Sequence, residues 1–74
     1  MSDKFVNQSL IDRATSDLVI AYEGAMTLAK KSRNLEVKKQ AKAIAILIKV
    51  SLEQLFPFGS ETAKNMRMDR MKQA

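Results

Sequence analysis

The sequence predicts an all-α fold, in which two long helices form a hairpin and a short third helix follows. Glycine and proline, the residues that most often interrupt helices, number only two and one in 74 residues, and the proline is Pro57. Apolar residues recur with helical spacing in 9–32 and again in 35–56. Asn34 lies between the two segments and is a favourable N-cap for the second. We therefore predict a hairpin domain over 1–59, with helices at about 9–32 and 35–56.

The first helix is predicted from the stripe that its apolar side chains form. Ser9, with Asp12 three residues later, is a suitable helix start, and Ser2-Asp3 offers an earlier one. Lys30 and Lys31 suit the negative pole of the helix dipole at the other end. The face predicted to pack on the second helix comprises Leu10, Ile11, Ala14, Leu18, Ala21, Tyr22, Ala25, Leu28 and Ala29.

The second helix is apolar on two sides and ends where Pro57 stops it. Only a narrow strip is consistently charged, comprising Lys38, Lys42, Lys49 and Glu53. The main apolar stripe comprises Val37, Ala41, Ile44, Ile48, Leu52 and Leu55. A second apolar arc, almost opposite, comprises Ala43, Ile46, Leu47 and Val50. A helix that is apolar nearly all round is typically buried, but one neighbouring helix covers only one of its sides.

We expect a second copy of the chain to cover this arc, giving a homodimer of the four-helix-bundle type. Leaving the arc in water would forgo about 1.5–3 kcal/mol for each large side chain. The competing explanation is that residues 60–74 cover it, although they have no matching apolar face. A chain this short, with no cysteine for a cross-link, also gains most from oligomerisation.

Composition excludes several classes of chemistry. The chain has no cysteine and no histidine, which removes disulfides, thiol catalysis, Ser-His pairs and the usual zinc ligands. Asp12 and Glu23 share one helix face, but helical rise separates them by about 16 Å, too far for paired-carboxylate catalysis. The sequence thus predicts a protein that is not an enzyme and needs no cofactor.

Basic residues are concentrated where the two helices meet. The net charge is +5, and residues 30–42 alone supply that excess with six cations against Glu36. In a hairpin these cations gather at one tip, and those that begin the second helix oppose its dipole. The cluster predicts binding of an anion or an acidic partner, or else a solvated end. It comprises Lys30, Lys31, Arg33, Lys38, Lys39 and Lys42.

The C-terminal part, residues 60–74, is predicted as a basic, methionine-rich helix or tail. Exposed aromatic and methionine side chains often anchor protein partners. Phe56, Phe58, Met66 and Met71 are therefore a candidate hook for a target protein. The competing interpretation is that the two phenyl rings plug the open end of the helical core.

The sequence favours a small cytoplasmic regulator or adaptor that binds a larger protein, such as an inhibitor, anti-activator, antirepressor or assembly chaperone. The N-terminus lacks a basic stretch followed by an apolar run, and Ala41–Phe58 is too short and too charged to span a membrane. A nucleic-acid-binding dimer that uses the basic tip is one alternative, although no aromatic residue interrupts the lysines. A subunit of a larger structural assembly is the other.

Overall fold

The computed structural model describes residues 3–73, and the described chain is almost entirely helical. Helix α1 spans Asp3–Lys31, α2 spans Leu35–Leu55 and α3 spans Glu61–Gln73. A short 3₁₀ turn, Phe56–Phe58, lies between α2 and α3. No strand occurs among these residues, so the predicted all-α class is confirmed.

Helix α1 begins at Asp3, six residues before the predicted start at Ser9. No glycine or proline lies between the two positions, so nothing in this stretch forces the helix to begin later. At 1.5 Å per residue its 29 residues extend about 43 Å. Helix α1 is therefore the longest element, and both α2 and α3 pack along it.

The turn between the long helices is held by side-chain caps. The Asn34 Oδ1 accepts hydrogen bonds from the backbone N–H groups of Glu36 at 2.9 Å and Val37 at 3.2 Å. The Ser32 hydroxyl accepts the N–H of Asn34 at 3.2 Å. The predicted cap at Asn34 is thus confirmed, and it satisfies two amides that the first turn of α2 leaves without helical partners.

The side of helix α1 that packs on α2 overlaps the predicted side only in part. Thr15, Val19 and Tyr22 are buried, whereas Leu10 and Leu28 are exposed. The buried line is displaced by one residue, about 100° around the helix. Thr15 tolerates burial because its hydroxyl donates to the backbone carbonyl of Asp12 at 2.9 Å. Of the stripe predicted for α1, Tyr22 is buried, and Ile11, Leu18, Ala25 and Ala29 are half-buried. The prediction was wrong at Leu10, Ala14, Ala21 and Leu28, which are exposed.

Helix α2 packs on α1 through small residues near the tip and large ones near the 3₁₀ turn. Ala41 and Ala45 are buried towards the tip, and Leu52 is buried towards the other end. Val37 and Ile44, which were also assigned to this stripe, are exposed. The large Tyr22 of α1 is buried beside Ala45, since a small residue leaves room for a large one opposite.

The core lies at the end of the hairpin away from the tip. Val19, Leu52 and Phe56 form its buried centre. The half-buried side chains of Leu18, Ile48 and Met71 pack against this centre. Only the last of these six comes from α3, so the hairpin and the 3₁₀ turn supply nearly all of the core.

Helix α3 is attached to α1 mainly by polar contacts. The backbone N–H of Ser60 donates to Oδ1 of Asp12 at 2.9 Å, and the Ser60 hydroxyl caps α3 by accepting the N–H of Ala63 at 3.2 Å. Farther along, Arg70 forms an ion pair with Glu23. No residue of α3 is fully buried, and no Cα atom of α3 lies within 8 Å of one in α2. A gap therefore separates α3 from α2.

Gly59 allows α3 to approach α1 at this junction. A Cβ atom built on Gly59 would lie 2.7 Å from Oδ1 of Asp12, which is closer than such atoms normally come. The same carboxylate oxygen accepts the N–H of Ser60. A side chain at position 59 would have to displace the Asp12 carboxylate that holds the start of α3.

We predict that Gly59→Ala destabilises the protein by about 1 kcal/mol, because the partly buried hydrogen bond of Ser60 to Asp12 is lost. The matched control is Gly24→Ala, where a new Cβ atom would meet nothing within 4 Å. That substitution is expected to stabilise α1 by about 0.5–1 kcal/mol. Urea unfolding followed by circular dichroism measures both changes, and a shift in the same direction for the two variants would contradict this account of the junction.

Candidate functional site

The hairpin has two broad faces, because α3 lies against only one of them. We call the side that carries α3 the front face and the opposite side the back face. On α2, Lys42, Ile46 and Lys49 are on the front, where they border clefts that α3 and α1 also line. Residues to the other side of the buried line are on the back. The two faces differ in chemistry.

The back face is apolar on both long helices. Its residues on α1 have the spacing of a single helix side, and those on α2 lie beside them across the hairpin. Leu18, Ala25, Ile48 and Leu55 are half-buried, and the other members are exposed. Asp17 lies three residues after Ala14 and four before Ala21, so one exposed carboxylate falls on the same side of α1. On α2, the polar residues Gln40 and Ser51 fall among the apolar members. The back face comprises Leu10, Ala14, Leu18, Ala21, Ala25 and Leu28 of α1 and Val37, Ile44, Leu47, Ile48 and Leu55 of α2.

The apolar arc predicted on α2 is exposed, and α3 does not cover it. Ile46 is 55% exposed, Leu47 67% and Val50 47%, and Ala43 is exposed as well. The four residues do not form one separate surface. Leu47 lies at the edge of the back face, Ile46 lines a cleft on the front face, and the other two point away from the hairpin between them.

The front face contains a groove along α2, bounded by α3 near Glu53 and by α1 near Lys42, which we call the front groove. Two open clefts of about 370 Å³ and about 200 Å³ share Tyr22 and Lys49 and so form one depression. It follows α2 from Glu53 to Lys42, about 16 Å or three helical turns. Its lining comprises Tyr22, Met26, Ala29 and Lys30 of α1, Lys42, Ala45, Ile46, Lys49 and Glu53 of α2, Phe56, and Met68, Met71 and Lys72 of α3.

The front groove combines an apolar floor with a basic rim. Tyr22, Ala45 and Phe56 are buried beneath it. Four lysines border the groove against one carboxylate, that of Glu53. Lys42 and Lys49 form no ion pair with any other described residue. From the sequence, these two lysines were assigned only to the charged strip on α2. Their spacing of seven residues is the signal that places them on one side of the helix.

The predicted basic cluster does gather at the tip of the hairpin, but its members point in different directions. Lys30 and Lys42 line the front groove, and Lys30 and Lys31 border a further cleft between α1 and the last turn of α3. Lys38 is half-buried, and Arg33 and Lys39 are exposed. Two of the free amides in the first turn of α2, those of Glu36 and Val37, donate to Asn34, so they do not face an incoming anion. The positive charge of the tip is thus spread over several directions.

Two members of the candidate hook pack in or against the core, and the other two are exposed. Phe56 is buried in the core and Met71 packs against that core, so neither is free to reach a target. Phe58 and Met66 are exposed, at 66% and 63%. The two phenyl rings differ because the 3₁₀ turn directs them to different sides. Phe56 closes the end of the hairpin, whereas Phe58 faces outward.

The carboxylates considered for catalysis hold α3 in place. Asp12 accepts the N–H of Ser60, and Glu23 pairs with Arg70. Asp17, between them in sequence, is exposed. Among the described residues, no three acidic side chains converge as a metal ion would require. In the same part of the chain, no helix combines the length and apolarity needed to cross a lipid bilayer.

We predict that Phe56→Ala lowers the free energy of unfolding by about 3–5 kcal/mol, because it opens a cavity in the core. Phe58→Ala, the matched control, removes a ring that is 66% exposed and should change stability by no more than about 0.5 kcal/mol. Urea unfolding of the two variants measures this difference. Equal losses would show that Phe58 also contributes to the core.

Comparisons with protein-family models, with curated proteins and with solved structures find no match to this chain. The back face and the front groove are therefore the features of the chain that bear on its function.

Proposed function

We propose that this protein is a small, non-enzymatic regulator or adaptor that forms a homodimer through its back face and acts by binding another protein. The observation that supports the proposal is the largely apolar surface that continues across α1 and α2, with Asp17 as its one charged residue. A monomeric soluble protein seldom exposes so large an apolar surface unless a partner covers it.

The size of the back face fits an interface between two copies. The 21 residues of α2 extend about 31 Å, and two helices side by side are about 20 Å wide. The face therefore covers about 600 Å² per chain, or about 1,200 Å² in a dimer, the lower end of the range for stable, specific interfaces. Covering it would also complete the core of a chain that is too small to bury much surface alone.

The chemistry of the back face suits helix-on-helix packing. Ala14, Ala21 and Ala25 make α1 smooth, so that another helix can approach at the short end of the usual spacing of about 8–10 Å. Ile44 and Leu47 of α2 provide larger side chains beside this smooth strip. Two hairpins related by a two-fold axis can place the large residues of one on the small residues of the other, which gives a four-helix bundle.

This arrangement refines the interface predicted from the sequence. That prediction assigned Ala43, Ile46, Leu47 and Val50 to the dimer, and of these only Leu47 borders the back face. In the refined proposal, the front groove, the basic tip and Phe58 remain accessible for a target protein in both subunits. The lack of histidine and cysteine favours action by binding over catalysis.

We predict that Ile44→Lys dissociates the dimer, because it places a charge in the middle of the back face. Ile20→Lys is the matched control, since Ile20 is similarly exposed, 56% against 49% for Ile44, but lies on the outer side of α1. Sedimentation equilibrium is the measurement. The expected result is a dimer for the wild type and for Ile20→Lys, and a monomer for Ile44→Lys.

The same experiment has outcomes that contradict the proposal. A monomeric wild type at about 100 µM would remove the case for self-association, because interfaces of this size usually bind more tightly than that. Loss of the dimer in Ile46→Lys with Val50→Lys, but not in Ile44→Lys, would place the interface on the outer arc of α2. Continued growth beyond a dimer would favour a subunit of a larger assembly.

The adaptor role is tested by affinity purification from the native host at low and high salt. A protein that stays bound at high salt supports the proposal. Recovery of nucleic acid alone, lost steeply as salt rises, would instead favour the nucleic-acid alternative, because binding to phosphates releases counterions.

A further inference from the structure

We propose that the front groove binds an acidic amphipathic helix of the partner protein. This inference rests on the proposed function, since it assigns a chemistry to the partner that the adaptor would bind. It concerns the face opposite the proposed dimer interface, so the two can be tested separately.

The shape of the groove fits a helix. Near Glu53 the groove lies between α2 and α3, whose backbones are apart, and near Lys42 it follows the seam between α1 and α2. The two parts together form an elongated depression about three helical turns long. A further helix laid along it would contact α1 and α2 near Lys42, and near Glu53 it would contact α3 as well.

The floor of the groove fits apolar side chains. Tyr22, Ala45 and Phe56 form a firm, buried base. Ile46 is 55% exposed above this base, and Met68 is also exposed. Methionine adjusts its shape readily to a ligand, and such grooves commonly take the apolar face of a helix.

The rim of the groove requires a ligand with negative charge. Lys42 and Lys49 lie seven residues apart on α2, about 10.5 Å along its axis. Neither forms an ion pair within the described chain, and Lys72 borders the groove from the α3 side. A ligand helix with carboxylates two turns apart could pair with both lysines of α2. Glu53 is the single acidic residue on the rim, at the opposite end from Lys42.

A second copy of this chain is a poor occupant of the groove. The protein carries a net charge of +5, and its excess lies near the tip, so a second copy would bring lysines towards lysines. Nucleic acid would match the charge but would leave the apolar floor uncovered. An acidic helix with one apolar side matches both the floor and the rim.

A direct test uses a synthetic, fluorescein-labelled peptide of 14 residues, with leucines along one helical side and glutamates flanking them. Binding is measured by fluorescence anisotropy. We expect Lys42→Glu with Lys49→Glu to weaken binding by about tenfold, since the double reversal replaces two attractions with two repulsions. The matched control is Lys31→Glu with Lys39→Glu, which changes the net charge equally but lies outside the groove, and it should weaken binding less than about threefold.

The apolar floor is tested by Ile46→Asn. Because Ile46 is 55% exposed, the variant should fold normally yet bind the peptide about five- to tenfold more weakly. A charge swap separates lost folding from lost contact. A peptide with lysine in place of glutamate should bind the Lys42→Glu, Lys49→Glu variant better than it binds the wild type.

Several results would overturn the groove assignment. Equal losses for the two lysine pairs would show that only overall charge matters. No peptide binding at about 100 µM, a level at which helix-in-groove contacts are normally detectable, would show that the groove does not accept this ligand. A DNA duplex that displaces the peptide, and that depends on the same two lysines, would reassign the groove to nucleic acid.

Sedimentation of the same variants separates the two proposals. Lys42 and Lys49 lie off the back face, so their reversal should leave the dimer intact. A stable dimer that does not bind the peptide refutes the groove alone, whereas a monomer that binds it refutes the back-face dimer alone.

Discussion

Two helices packed side by side bury only the side chains that face each other, and this limit determines which surfaces of the protein stay exposed. The contact between α1 and α2 buries Val19, Leu52 and Phe56 at one end, and near the tip it buries the small residues Ala41 and Ala45. Both helices carry more apolar surface than this single contact can hide. The back face and much of the front groove consist of residues that this contact does not bury.

Helix α3 covers only part of the apolar surface that α1 and α2 leave exposed. It is fixed at its start by Asp12 and Gly59 and farther along by the ion pair of Glu23 with Arg70, but no residue of it is fully buried. Because α3 packs on α1 and not on α2, it leaves a gap on the front of the hairpin and nothing on the back. One chain thus has two unlike faces: a largely apolar one, which we propose pairs with another copy, and a basic, methionine-lined one, which we propose binds an acidic helix.

The sequence predicted the helices and their boundaries better than the sides they present. Asn34 and Pro57 act through local geometry, so the turn and the end of α2 were predictable within a residue or so. The side of α1 that packs on α2 was not predictable. Apolar residues of α1 occupy two adjacent stripes, and which stripe packs depends on its fit to the alanines of α2. Thr15 looked polar in sequence, yet its hydroxyl is satisfied by the carbonyl of Asp12. The front groove was not predictable either, since it depends on where α3 docks.

The most direct test of the central claim, that a second chain covers the back face, is an intermolecular distance measured between spin labels. The chain has no cysteine, so a single engineered one carries the only label, and any dipolar coupling arises between two chains. A label at Gln40, at the edge of the back face, should give a shorter distance than one at Glu53 on the front. No coupling from either label, or a shorter distance from Glu53, would contradict the claim.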